Sequence, residues 1–147
     1  MNVGILLVTH GQIGHQLVAT AETIFCQGMA SVACVSVPAN INPQQLGRYA
    51  DQIRDTMAAQ DTGAGVLVLT DLYGATPDNL ARYFTEQGNA RVVSGVNLPM
   101  LLRVLNYSRQ SLQQLCETAV AGGKSGIQQD NIPLADIQAG NIRQVSL

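Results

Sequence analysis

Two short runs in this chain are apolar without interruption, GILLV at residues 4–8 and GVLVL at residues 65–69. A strand with one wet face alternates apolar and polar residues. One that is apolar throughout is covered on both faces, as central strands of parallel sheets are. Parallel neighbours cannot be joined by a hairpin, so each needs a crossover of about a dozen residues or more, usually a helix. The rest of the chain meets that demand. β-rich runs at Val3–Val8, Val32–Val37, Gly65–Thr70 and Ala90–Val96 are separated by segments with helical spacing. Ile13, Leu17, Ala21 and Ile24 fall on one stripe, and Leu46, Tyr49, Ala50, Ile53 and Met57 on a second. Leu80, Ala81 and Phe84 mark a third, shorter helix. Pro99 to about Tyr107 reads as a fourth. Ser108 reads as the N-cap of a fifth through Leu112, Leu115 and Ala119, stopped by Gly122-Gly123. The order β-α-β-α-β-α-β-α-α predicts an α/β fold, an open and mainly parallel sheet with helices on both faces and right-handed crossovers. The tail beyond Lys124 admits two readings: short strands at Ile127–Gln128 and Ile142–Leu147, or a loose end.

At 147 residues the chain is one domain. Hydrophobic residues make up 46% and charged residues 12%, which excludes disorder over most of the length. Seven Arg and one Lys are scattered against ten acidic residues, so no basic stripe exists to hold nucleic acid. No apolar run approaches the roughly 20 residues of a membrane span. Val3–Val8 is too short for a signal peptide and lacks a basic leader. Cys26, Cys34 and Cys116 are odd in number, form no CxxC pair and lie in or beside apolar segments, as small core residues do. The expectation is a soluble, reduced, cytoplasmic chain. Its low charge suggests a well-covered sheet or a buried face between subunits.

In an open α/β sheet, ligands bind beyond the carboxyl ends of the strands, where the strand order reverses. For an order beginning 2-1-3-4 that point lies between strands one and three. Thr9-His10-Gly11 follows the first, and Asp71 through Asn79 (DLYGATPDN) follows the third, so topology places His10 and Asp71 across one crevice. Three helices would start at this edge: after Gly11, at Thr76-Pro77 and at Asn97-Leu98-Pro99. Thr76 fits an N-cap and Pro77 the first helical position. Helix N-termini carry free N–H groups and partial positive charge, which suits a phosphate. Gly11 and Gly74 remove side chains where a phosphate or a partner approaches.

A neutral imidazole is a nucleophile, and a carboxylate on its other nitrogen fixes the tautomer and stabilises the charge formed on attack. Taken alone, a His after a strand is more often a capping residue, and an Asp there a turn residue; their pairing at the switch point favours function. His15 lies about 200° round the first helix from Ile13, off the apolar stripe, and reads as a solvated surface residue. Neither His has zinc-type spacing, so no metal is expected. The glycine loops match neither a dinucleotide nor a P-loop pattern, and no cofactor is expected.

VGILLVTHG, GVLVLTDLYGATPDN and VVSGVNLPMLLRVL together resemble the IIA component of the mannose class of the bacterial sugar phosphotransferase system. The THG loop, the D-x-x-G-[GAS]-[ST]-P-x-N loop and the GVN-[LI]-PM segment occur there in this order and at similar spacing. The resemblance covers about residues 1–127 and leaves 128–147 as a tail, an exchanged strand or a disordered end. It implies a sheet ordered 2-1-3-4 with an antiparallel C-terminal edge strand crossing to a second subunit of a homodimer. It also implies that His10 takes phosphate from the carrier HPr and passes it to a IIB partner for sugar uptake. Asp71 would then be the partner of the histidine. Thr76, with Thr9, Gly11 and Gly74 beside it, would hold the phosphoryl group. Contact with a membrane would be indirect, through transporter components. Leu72-Tyr73 replaces the polar-aromatic pair of some relatives, which bears on partner choice.

Alternatives are weaker. The phosphotransfer subunit of dihydroxyacetone kinase tends to carry D-L-G-S-A after strand three. Histidine phosphatases resemble R-H-G where this chain has Thr9-His10-Gly11. A response-regulator receiver needs an acidic pair after strand one. The same chemistry in a stand-alone regulatory sensor cannot be separated by sequence, and neighbouring IIB, IIC and IID genes would decide it.

Overall fold

The computed structural model describes residues 1–26, 28–129 and 140. Its four strands are β1 (Gly4–His10), β2 (Val32–Val37), β3 (Val66–Thr70) and β4 (Ala90–Ser94). They form one sheet in the order β2-β1-β3-β4, with every neighbouring pair parallel. The helices are α1 (Ile13–Phe25), α2 (Pro43–Gln60), α3 (Thr76–Thr85), α4 (Leu98–Asn106) and α5 (Leu112–Ser125). The expected α/β class and strand order are both present. Of the two short strands read in the tail, Ile127–Gln128 is not one: α5 runs on to Ser125 and the Ile127 N–H closes back onto the Lys124 carbonyl, while residues 142–147 lie outside those described.

Alternation along the two central strands sorts the core into two halves. Ile5, Leu7, Leu67 and Leu69 face a cluster closed by residues of α1, α4 and α5. Leu6, Val8, Val66 and Val68 face the other, closed by Ile53 and Met57 of α2 and Ala81 of α3. All eight strand side chains are buried. Truncating any one to alanine removes about 2–5 kcal/mol for a leucine or isoleucine. No helix among the described residues is long and apolar enough to cross a membrane.

Several local expectations need correction. β1 runs two residues further than its apolar core, so His10 is the last strand residue, paired with Val37, and not a loop residue. On α1 the buried face is centred on Gly14 and Ala21, and Ile13 and Ile24 are 48% and 41% exposed. The cause is Gly14: without a side chain the helix seats its first turn directly on Thr9 and Leu7, where a Cβ would meet Thr9 Oγ1 at 3.0 Å. Leu46 of α2 is likewise exposed. Ser108 does not cap α5; it is buried and its carbonyl accepts the Val3 N–H. Ser111 takes the cap because only it has a glutamine three residues on, and with Gln114 it forms a reciprocal capping box. Gly122-Gly123 does not stop α5 either. Both lie within it, buried against Arg103 and Met100 of α4, where side chains of their own would not fit without displacement. Cys34 and Cys116 pack against the core, but Cys26 is exposed and not a core residue. Burial, assisted by the Glu22 charge, pushes the Cys34 thiol up to about 11.

Candidate functional site

His10 ends β1 and Asp71 follows β3, its immediate neighbour in the sheet. Their side chains meet: His10 Nδ1 lies 2.8 Å from Asp71 Oδ2. The same oxygen accepts the His10 backbone N–H at 3.1 Å, which ties the carboxylate to the strand end as well as to the ring. The imidazole is 31% exposed and the carboxylate 12%. Asp71 Oδ1 is buried and has no hydrogen-bond partner among the described residues. Among the described residues, both of the carboxylate's hydrogen bonds thus run to His10. A carboxylate facing Nδ1 favours the tautomer that keeps its proton there, leaving Nε2 with a free lone pair.

The glycines beside the pair adopt conformations that side chains resist. Gly11 has φ +47° and Gly74 φ +80°, and a Cβ on either would meet nothing within 4 Å. Backbone geometry, not crowding, calls for glycine at both. The Gly11 N–H donates to the Val37 carbonyl, fastening the turn after His10 to β2. Thr9 is turned inward, buried, with Oγ1 accepting the Gly14 N–H at 2.9 Å. It supports the first turn of α1 and is not open to a ligand, contrary to its expected place among the phosphate-binding residues. Thr76 is exposed and is the first residue of α3, not its cap. Ala75 holds the cap position without a side-chain bond, and Pro77 falls in the first turn. Asn97 does cap α4, accepting the Met100 N–H at 2.9 Å. His15 is exposed as expected, with Nδ1 3.0 Å from Ser36 Oγ.

Sequence reading missed Asp78. This residue is 0% exposed and carries four hydrogen bonds. The Thr70 and Ser94 hydroxyls donate to Oδ1, each at 2.6 Å. The Gly74 N–H and Arg82 Nε donate to Oδ2, at 3.0 and 2.8 Å. Burial alone would raise this carboxyl. The bonds from Arg82, Gly74, Ser94 and Thr70 outweigh it and hold the group well below the usual carboxylate range. One signal was available: an Asp in the first helical turn with an Arg four residues on.

The residues that follow Asp71 in the chain are exposed and partly apolar. Leu72 and Tyr73 are 60% and 76% exposed, and the Arg82 guanidinium lies 5.1 Å from the Tyr73 ring centre. Two open clefts of about 580 and 510 Å³ occupy the opposite end of the sheet and include neither His10 nor Asp71. A part-exposed ring at a strand end, outside both clefts, is open to a group presented from outside and does not enclose a small ligand. No cluster of three or more His, Cys, Asp or Glu suited to a metal occurs among the described residues.

Comparison with known proteins adds to this geometry. A family model described as PTS system fructose IIA component matches residues 4–120. The mannose-specific EIIAB component of Escherichia coli K12 is 31% identical over 130 residues, 86% of this chain and 39% of that protein. The chain thus spans well under half of the curated relatives it matches. The mannose/sorbose specific IIA subunit from Enterococcus faecalis superposes with a TM-score of 0.72 at 26% identity, covering 90% of this chain and 98% of that one. The IIA protein associated with the fucose utilization operon of Streptococcus pneumoniae has the same fold, with a TM-score of 0.71 at 24% identity, covering 88% and 93%.

Proposed function

This chain belongs to the PTS fructose IIA family, the mannose class of IIA components, and from that premise we propose that it is a phosphohistidine carrier. His10 accepts a phosphoryl group from HPr and passes it to a IIB partner, in the cytoplasm, for sugar uptake. The unit that does so is residues 1–127.

One observation carries the reading: the 2.8 Å contact between His10 Nδ1 and Asp71 Oδ2. With its proton held on Nδ1, the ring attacks phosphorus through Nε2. The P–N bond to the donor histidine breaks as the new P–N bond forms, and the donor ring recovers its lone pair. His10 becomes positively charged in the process, and the Asp71 carboxylate stabilises that charge where it develops. The Gly11, Gly14 and Gly74 N–H groups are already bonded within the protein, so the phosphoryl oxygens fall to the partial positive charge at the starts of α1 and α3, with Thr76 opening α3. Positioning and fixed dipoles supply the catalysis. Transfer between two histidines conserves the phosphoramidate bond, so the step is reversible.

The open surface fits two successive protein partners. Leu72 and Tyr73, which follow Asp71 in the chain, are exposed and offer apolar surface to them. Assembly as a homodimer is part of the proposal, because β4 ends the sheet among the described residues and an unpaired edge invites a second strand. Light scattering at micromolar concentration tests it, and a mass near the 15.6 kDa of one chain would reject it.

The function itself is tested by incubating the purified protein with phosphoenolpyruvate, enzyme I and HPr and locating the phosphate by peptide mapping. Phosphate on His10 alone is expected. Phosphate elsewhere, or none, rejects the reading.

A further inference from the structure

We infer that Asp78 is a positioning residue for phosphoryl transfer, holding the loop that carries Asp71 in register with His10. The inference rests on the reading of His10 as the acceptor. Its basis is the connectivity of a single buried carboxylate. Oδ1 binds Thr70, the residue immediately before Asp71, and Ser94 at the end of β4. Oδ2 binds the Gly74 N–H, three residues after Asp71. The carboxylate therefore grips the chain on both sides of Asp71, and Ser94 anchors that grip to the neighbouring strand.

The arrangement has a local cause. α3 begins without a side-chain cap, since Ala75 occupies that position. Asp78, the third helical residue, reaches back past the cap to the N–H of Gly74. Asn79 closes the same turn from the other direction, its Nδ2 donating to the Gly74 carbonyl at 3.0 Å. Gly74 at φ +80° has no intrinsic preference for this conformation, so the two bonds define it. Arg82 completes the assembly. It donates to Asp78 and to Ser94 Oγ, and its guanidinium packs over Tyr73 inside the same loop. In the family pattern D-x-x-G-[GAS]-[ST]-P-x-N, the residue between Pro and Asn is unspecified. The motif therefore does not account for a buried, four-bonded aspartate there.

Asp71 has no such support of its own. Among the described residues its side-chain hydrogen bonds both run to His10, and Oδ1 has no partner. A carboxylate held only by the group it orients depends on its backbone being fixed, and a displacement of about 1 Å costs up to 10²-fold in rate. Asp78 supplies that fixation.

The test compares wild type, Asp78→Asn and Asp78→Ala in single-turnover transfer from phosphorylated HPr over a range of HPr concentrations, with ¹⁵N shifts of the His10 ring read in parallel. In Asp78→Asn the amide oxygen still accepts from Gly74 and Arg82 while the hydroxyls turn to accept from the NH₂ group, so a rate within about threefold of wild type is expected. Asp78→Ala leaves the Gly74 N–H unpaired. Its saturating rate is expected to fall about 10-fold or more, with half-saturation changed less than about threefold and the ring shifting towards a tautomer mixture. A folded Asp78→Ala protein with wild-type rate and ring shifts overturns the inference while leaving His10 as acceptor intact. Failure of wild type to take phosphate on His10 sinks both. Should Asp78→Ala not fold, hydrogen exchange in the native protein decides. The Gly74 amide is expected to be protected at least about 10-fold over those of exposed Leu72 and Tyr73, and equal rates overturn the inference.

Discussion

Replacing Asp71 by asparagine removes one charge and almost nothing else, so its effect can be worked out from the contacts. The amide oxygen can occupy the place of Oδ2 and accept both the His10 backbone N–H and Nδ1–H. The NH₂ group then falls where Oδ1 is already buried without a partner, so one unsatisfied polar atom replaces another and the net cost is small. Folding is therefore little affected. What is lost is the attraction between the carboxylate and the cation that His10 becomes as phosphorus arrives. Two unit charges about 4 Å apart attract by about 1 kcal/mol in water and about 4 kcal/mol at an effective dielectric of 20. With the carboxylate 12% and the ring 31% exposed, the site lies between these limits. At 1.36 kcal/mol per decade the expected loss is about 10- to 10³-fold. Rapid-quench transfer from phosphorylated HPr measures it. A rate within twofold of wild type would show that Asp71 is only a turn residue and refute the electrostatic argument.

Other consequences follow from the same contacts. His10→Ala should abolish phosphate incorporation with the circular dichroism spectrum unchanged, whereas His15→Ala, which removes an exposed ring on α1 bonded to Ser36 of β2, should retain most of it; radiolabel transfer from HPr separates them. The depressed Asp78 carboxyl contributes stability that is present above the ordinary carboxylate value, about 3.9, and is lost as pH falls through its lower folded value. Urea unfolding should therefore show wild type more stable than Asp78→Asn at pH 7, with the gap narrowing only below about pH 4; a gap constant down to pH 2 would contradict the assignment.

Much of this fold is legible because it rests on local chemistry. Ile5 to Val8 and Leu67 to Leu69 are apolar on both sides of the chain, and only a doubly covered strand accommodates that. The placement of His10 near Asp71 follows from strand order alone. The parts that escaped depend on partners distant in sequence. Ile13 looks like a core residue until Gly14 is seen to bring the helix down onto Thr9. Gly122 and Gly123 look like a helix stop until Arg103 and Met100 of α4 are found filling the space their side chains would need. Thr9, beside the histidine in the chain, belongs by strand alternation to the opposite face of the sheet and supports α1 from there. Asp78 reads as an ordinary first-turn acid, and its contact with Ser94, 16 residues away, appears only once β4 lies beside β3.

The account turns on one nitrogen atom. Protein labelled with ¹⁵N in its histidines, phosphorylated through HPr and examined by long-range ¹H–¹⁵N and ³¹P spectra, reports which ring nitrogen carries phosphorus. With Nδ1 held by Asp71, phosphorus is expected on Nε2 of His10, with a proton remaining on Nδ1. Phosphorus on Nδ1, or on a residue other than His10, would contradict the account.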